Sequence, residues 1–72
     1  MKGLSIGRVV HFVDENETHL AAIVTSVLDK DAGIINLAVF YPNDTNPVIP
    51  HFSVMFSEDP KYGTWHWPEY VP

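Results

Sequence analysis

The chain has no cysteine, few cations and no long apolar run, and each absence excludes a class of protein. Without cysteine in its 72 residues it forms neither disulfides nor thiolate metal sites. Four cations against nine carboxylates give a net charge of −5, so sequence-independent binding to a nucleic acid backbone is not expected. No apolar stretch approaches the roughly 20 residues that a membrane-spanning helix needs.

Length and composition predict one folded domain over residues 1–72. The hydrophobic fraction of 46% is typical of a globular chain. A chain this short buries only about 60% of its unfolded surface, so close core packing or self-association is expected to supplement its stability. The segment from Met1 to Ile6 lacks the apolar core of a signal peptide, which predicts a cytoplasmic protein.

Five short segments have the residue alternation of β-strands, and Gly, Pro, Asn and Asp are frequent between them. Residues 19–28 also fit helical spacing, but the β-branched run Ile23–Val27 favours a strand. In the fourth segment, Phe52, Val54 and Phe56 are predicted to share the buried face. The predicted strands are 8–13, 19–28, 34–41, 51–56 and 64–67, with loops that include 29–33 and 42–47.

These strands predict an all-β fold with no substantial helix. Closure would protect the edges of so small a sheet, and the short connections favour antiparallel pairing. The expected fold is therefore a small, closed or nearly closed, five-stranded antiparallel barrel. In the third strand both faces are mostly apolar, which indicates a central strand covered on both sides or an interface.

Two sets of residues resemble known proteins. The first set is Gly7-Arg8-Val9-Val10-His11-Phe12, His19 to Val27 and Ile35 to Phe40. Through it the first forty residues resemble the opening of a Tudor-like or related SH3-like barrel, which implies that fold. The second set is Val9-Val10-His11-Phe12, Ala21-Ala22-Ile23-Val24, Leu37-Ala38-Val39-Phe40 and Gly63-Thr64-Trp65-His66-Trp67-Pro68-Glu69. Its layout resembles that of small uncharacterised bacteriophage proteins, which implies a phage origin and a site of action in the host cytoplasm but no activity.

The Trp65-His66-Trp67 triplet is the most distinctive feature. On a strand, the two indoles would share one face and His66 would point the opposite way. Paired indoles can stack a planar ligand or, with Tyr62 or Tyr41, cage a cationic group. They can equally fill the core of a small barrel or form an interface between copies.

No pattern of catalytic or metal-ligating residues is evident. The four histidines, at positions 11, 19, 51 and 66, show no i, i+2 or i, i+4 spacing, so no metal site and no cofactor are predicted. No nucleophile elbow or glycine-rich phosphate loop is present. Arg8 and Lys61 are the cations near predicted ligand loops, where they would pair an anionic ligand.

The sequence thus predicts a non-enzymatic module that binds a host or phage protein through an aromatic C-terminal surface, with possible self-association. The alternative is a sponge for a small nucleotide signal, with the base on Trp65 or Trp67 and the phosphate on Arg8 or Lys61. A second alternative, a small hydrolytic or metal-dependent enzyme, has the least support because the motifs are missing.

Overall fold

The computed structural model describes residues 1–42 and 45–69, so residues 43–44 of the predicted loop and the last three residues lie outside it. The described residues form five β-strands and no helix, and accordingly no helix among them could cross a membrane. The strand predicted over residues 19–28 is confirmed. The strands are β1 Val9–Val13, β2 His19–Asp29, β3 Ile34–Phe40, β4 Val48–Phe56 and β5 Thr64–His66.

The strands close into a barrel in the order β1-β2-β3-β4-β5, with β5 pairing back onto β1. This all-β, five-stranded SH3-like barrel confirms the predicted fold class. One pairing differs from the expected antiparallel arrangement, because β4 and β5 are parallel. Strands that alternate in direction can close a ring only when their number is even, so a closed ring of five must contain a parallel pair.

The core is built from the inward residues of all five strands. Ile35, Leu37 and Val39 on β3 are almost completely buried, whereas Ile34, Asn36 and Ala38 on the other face are half-buried. Trp65 on β5 is 0% exposed, and its indole N–H donates a 2.7 Å hydrogen bond to the Gly33 carbonyl oxygen. Gly33 has a φ of 74°, and a Cβ there would lie 2.8 Å from that of Phe56, so this turn favours glycine.

Strand β4 starts earlier than predicted, at Val48, and its alternation is interrupted. Ile35 and Leu37 are paired with Val54 and His51, so β4 has one residue more than β3 in this stretch. Ser53 absorbs the extra residue at a φ of 53°, and such a bulge changes which residues face inward. The prediction that Phe52 shares the buried face with Val54 is therefore wrong, since Phe52 is 72% exposed.

Candidate metal centre

Two histidines lie on the outer face of the β1–β2 hairpin. His11 on β1 is paired with Ala21 on β2, and Val13 is paired with His19. The two histidines are therefore diagonal neighbours on one face of an antiparallel pair, within reach of long or ring side chains. Their ring centroids are 6.0 Å apart. The tight hairpin alone brings these two imidazoles together.

Barrel closure adds the third histidine. His66 on β5 is paired directly with His11, so both side chains lie on the outer face where β5 meets β1. The His66 ring centroid is 5.6 Å from that of His11 and 4.6 Å from that of His19. Three of the four histidines thus converge on three adjacent strands, although 55 residues (66 − 11) separate the first from the last.

Glu69 completes the cluster from the segment that follows β5. Its Oε2 is 2.7 Å from His11 Nδ1, while its Oε1 is 2.6 Å from both His19 Nδ1 and His66 Nε2. The contacts to His11 and His66 have hydrogen-bond geometry. The His66 side chain is 8% exposed, whereas that of Glu69 is 47% exposed. The cluster is therefore anchored on a buried imidazole and open to solvent at the carboxylate.

The surroundings of Glu69 favour its charged form. The pKa of Glu69 is lowered from its ordinary value of 4.5 to about 2. The largest cause is a hydrogen bond from its own backbone N–H; hydrogen bonds from the imidazoles of His66 and His11 and the Coulombic attraction of His66 act in the same direction, while desolvation opposes the shift. The cluster therefore presents an ionised carboxylate beside three imidazoles, the groups from which proteins build transition-metal sites.

The spacing of the four donor atoms is close to that around a tetrahedral metal ion. One ligand atom from each of His11, His19, His66 and Glu69 lies within 4.8 Å of the other three. A zinc ion with bonds of about 2.0–2.1 Å separates its ligand atoms by about 3.3–3.4 Å. That separation falls between the closest contacts, at 2.6–2.7 Å, and the 4.8 Å limit. The closest contacts would therefore have to lengthen by about 0.7 Å for the atoms to surround a zinc ion.

The predicted indole platform is divided between the core and the surface. Trp65 is fully buried, so its ring is not accessible to a ligand or partner. Trp67 packs edge-to-face on Trp65 at 5.2 Å, and the Arg8 guanidinium lies 5.5 Å from the centre of the Trp67 ring. The nucleotide hypothesis therefore depends on Trp67 and Arg8, which already contact each other.

The two predicted tyrosines lie elsewhere. Tyr41 and Tyr62 line a cleft of about 360 Å³ together with His51 and Phe12. The Tyr41 hydroxyl is hydrogen-bonded to His51 Nε2 at 2.8 Å, and burial lowers the pKa of His51. Neither tryptophan lines this cleft, so the cleft does not bring the tyrosines and tryptophans together as an aromatic cage.

Lys61 is exposed and contributes its carbonyl oxygen to the turn before β5. That oxygen accepts hydrogen bonds from the backbone N–H and the hydroxyl of Thr64, at 3.1 and 2.7 Å. Lys61 lines neither this cleft nor the one described next. Neither of these two clefts therefore supports its predicted role as an anion partner, which stays a prediction.

A second, more apolar cleft adjoins the histidine cluster. It has a volume of about 330 Å³ and includes His19, so the cluster and this cleft share a side chain. Ala22 on β2 is paired with Val39 on β3, and in an antiparallel pair this places the preceding Ala21 beside the following Phe40. Both residues line the cleft, and we refer to them as its floor. The cleft also contains Tyr41, Pro42 and Pro47.

Spacing along the chain did not indicate the histidine cluster, and the sequence-based prediction contained no metal site. The members of the cluster are residues 11, 19, 66 and 69, so successive members are 8, 47 and 3 positions apart in the chain. A partial signal was available, because a hairpin centred on residue 16 places His11 and His19 on the same face. The position of Glu69 depends on the path of the segment after β5, which no residue pattern specifies.

Comparison with known proteins adds no relative. No family model matches the chain, and neither the curated proteins nor the solved structures contain a match. The resemblance to phage proteins stays a prediction from the residue motifs.

Proposed function

We propose that this chain is a metal-binding barrel domain that holds one divalent transition-metal ion, zinc by preference, at His11, His19, His66 and Glu69. The observation that carries this proposal is the convergence of three imidazole nitrogens and one ionised carboxylate within 4.8 Å. Imidazole ligands suit zinc, copper, iron and nickel, while a four-ligand tetrahedral set is characteristic of zinc.

The position of the site suggests what the ion does. His66 and His11 lie on the two strands that close the barrel, and Glu69 lies on the segment that follows. An ion held by all of them would fasten β5 and the C-terminal segment to the β1–β2 hairpin. A barrel of this size without disulfides gains most from such a link, since small domains commonly depend on metals for stability.

Titration of zinc into metal-free protein by calorimetry tests the proposal. The protein should carry no affinity tag of histidines, and a chelator should remove bound metal before the titration. We expect one zinc per chain, confirmed by the mass of the native complex. In the His19→Ala variant we expect affinity to fall by at least about a hundredfold, because an essential ligand is lost.

His51→Ala is the matched control, because His51 is a partly buried strand histidine outside the cluster. It should bind zinc as tightly as the unmodified chain, while circular dichroism establishes that both variants are folded. Absence of zinc binding by the unmodified chain would contradict the proposal. Equal affinities in a folded His19→Ala variant would contradict the assigned ligands.

A second candidate function is docking on a protein, which the exposed apolar face of the barrel supports. Val9, Ile23, Ala38 and Pro50 form one outward row across four strands through their pairings. Val9 is 55% exposed and Pro50 is also exposed, while Ile23 and Ala38 between them are half-buried. An uncharged row of this kind on a chain of net charge −5 suits an apolar partner surface with a basic rim.

Self-association is the form of docking that can be tested without a known partner. Light scattering after size exclusion should give a dimer or larger species for the unmodified chain and a smaller one for Val9→Lys. Thr25→Lys, on an exposed position of the same barrel, is the control. If the chain is a monomer at every concentration tested, the apolar row does not bind a second copy of the chain, and its partner would have to be a different protein.

A further inference from the structure

We infer that the metal centre and the adjoining apolar cleft together form a ligand site for a small carboxylic acid with an uncharged apolar ring or tail. This inference rests on the proposed metal site. The acid's carboxylate would take the place of Glu69 on the metal ion, and its apolar portion would lie in the cleft beside His19.

The first step is that Glu69 is the exchangeable member of the set. The histidines are all fixed on strands, whereas Glu69 lies beyond the end of β5. Its side chain is the most exposed of the four, at 47% compared with 8% for His66, 27% for His11 and 31% for His19. Replacing it would leave three imidazoles on the ion, the protein ligand set of zinc sites that keep a position for an exogenous ligand.

The second step is the continuity between centre and cleft. His19 belongs to both, and Ala21, on the cleft floor, is paired with His11. Adjacent strands lie about 4.8 Å apart, so the Phe40 end of the floor is about 10 Å from His11 across two strand spacings. A ligand of one carboxylate and one six-membered ring spans most of that distance.

The third step is the chemical class. The cleft volume of about 330 Å³ falls at the lower end of the range for small-molecule sites. Its lining contains no lysine or arginine, so a second negative charge on the ligand would have no partner there. The small side chain of Ala21 leaves room above the floor, and Phe40, Pro42 and Pro47 offer apolar contacts. A monoanion with an apolar tail meets all of these conditions.

Cobalt-substituted protein provides the test, since visible absorption of bound cobalt reports changes in its ligands. Benzoate is the probe, and acetate is the matched probe that has the same donor without the ring. We expect saturable spectral changes with both, and half-saturation by benzoate at a concentration at least tenfold lower. The Phe40→Ala variant, which alters the end of the cleft distant from the metal, should reduce that ratio several-fold.

A blocking variant and its control complete the design. Ala21→Phe should remove the advantage of benzoate over acetate, whereas Thr25→Phe, exposed on the same strand outside the cleft, should preserve it. Equal half-saturation by the two acids, or no spectral response, would overturn the inference and leave the metal site intact. Failure of cobalt and zinc to bind at all would instead overturn the proposed function, and the inference with it.

Discussion

The histidine cluster and the cleft around His51 both hold imidazoles on strands, but they differ in what surrounds each ring. In the cluster, three rings share one ionised carboxylate. In the cleft, the single ring of His51 lies 4.5 Å from that of Phe12 and is hydrogen-bonded to the Tyr41 hydroxyl. The first arrangement offers several electron-pair donors to one cation, whereas the second offers one donor beside an aromatic ring.

This difference teaches that a histidine's role depends on the groups that the fold places around it. Burial lowers the pKa of His51, which favours a neutral ring in a packing role. Glu69, in contrast, is held ionised among three imidazoles. The same residue type therefore contributes to packing in one region and to a candidate ligand set in the other, and His51 provides an internal control.

The largest expected effect is a gain in stability on zinc binding, which should require the histidine cluster and not His51. Zinc at a thousand times its dissociation constant should add about 4 kcal/mol to the free energy of unfolding, because it binds only the folded chain. Urea unfolding with and without zinc measures this increment. His66→Ala should lose the increment, whereas His51→Ala should keep it on a lower baseline. If zinc stabilised His66→Ala as much as the unmodified chain, the cluster would not be the zinc site and would not differ from the His51 cleft in this respect.

A smaller effect is expected from the hydrogen bond in the cleft. Tyr41→Phe removes the hydroxyl next to His51 and should lower the free energy of unfolding by about 1 kcal/mol. Zinc affinity should not change, because neither residue belongs to the cluster. Urea unfolding of metal-free protein and calorimetry with zinc measure the two quantities. A loss of zinc affinity in a folded Tyr41→Phe variant would show that the regions are coupled.

The pH dependence of metal-free protein should also distinguish His51. Its folded pKa is below the ordinary value of 6.5, so the unfolded chain binds the proton more readily. The corresponding stability is present above pH 6.5 and is lost as the pH falls below that value. The urea midpoint should fall less steeply for His51→Gln than for the unmodified chain as the pH is lowered through 6.5. An unchanged slope would indicate that His51 is not buried as described.

A further pH effect, confined to acid conditions, concerns Glu69 without metal. Its pKa is lowered from 4.5 to about 2, so the stability it contributes is present above pH 4.5 and is lost as the pH falls towards 2. Acid titration of the unfolding midpoint, in the presence of a chelator, should show a shallower fall over that interval for Glu69→Gln. If the two profiles coincide, the carboxylate does not contact the imidazoles in solution.

The residue pattern was sufficient to predict the five strands, although β4 begins three residues earlier than expected. Alternation separated the two faces of β3 without showing which face is inward, and β-branched residues favoured a strand over a helix for β2. The strand pattern also predicted that His66 and Trp65 lie on opposite faces of β5, because successive side chains of a strand point in opposite directions. These features depend on neighbouring residues only, which is why a single sequence contains them.

The tertiary structure decided the rest. The bulge at Ser53 exposed Phe52, and the odd number of strands required one parallel pair. The register of β5 against β1 placed His66 beside His11, and the segment after β5 brought Glu69 into contact with both. The position of each of these features depends on contacts between residues distant in the chain, so it exists only once the barrel has closed.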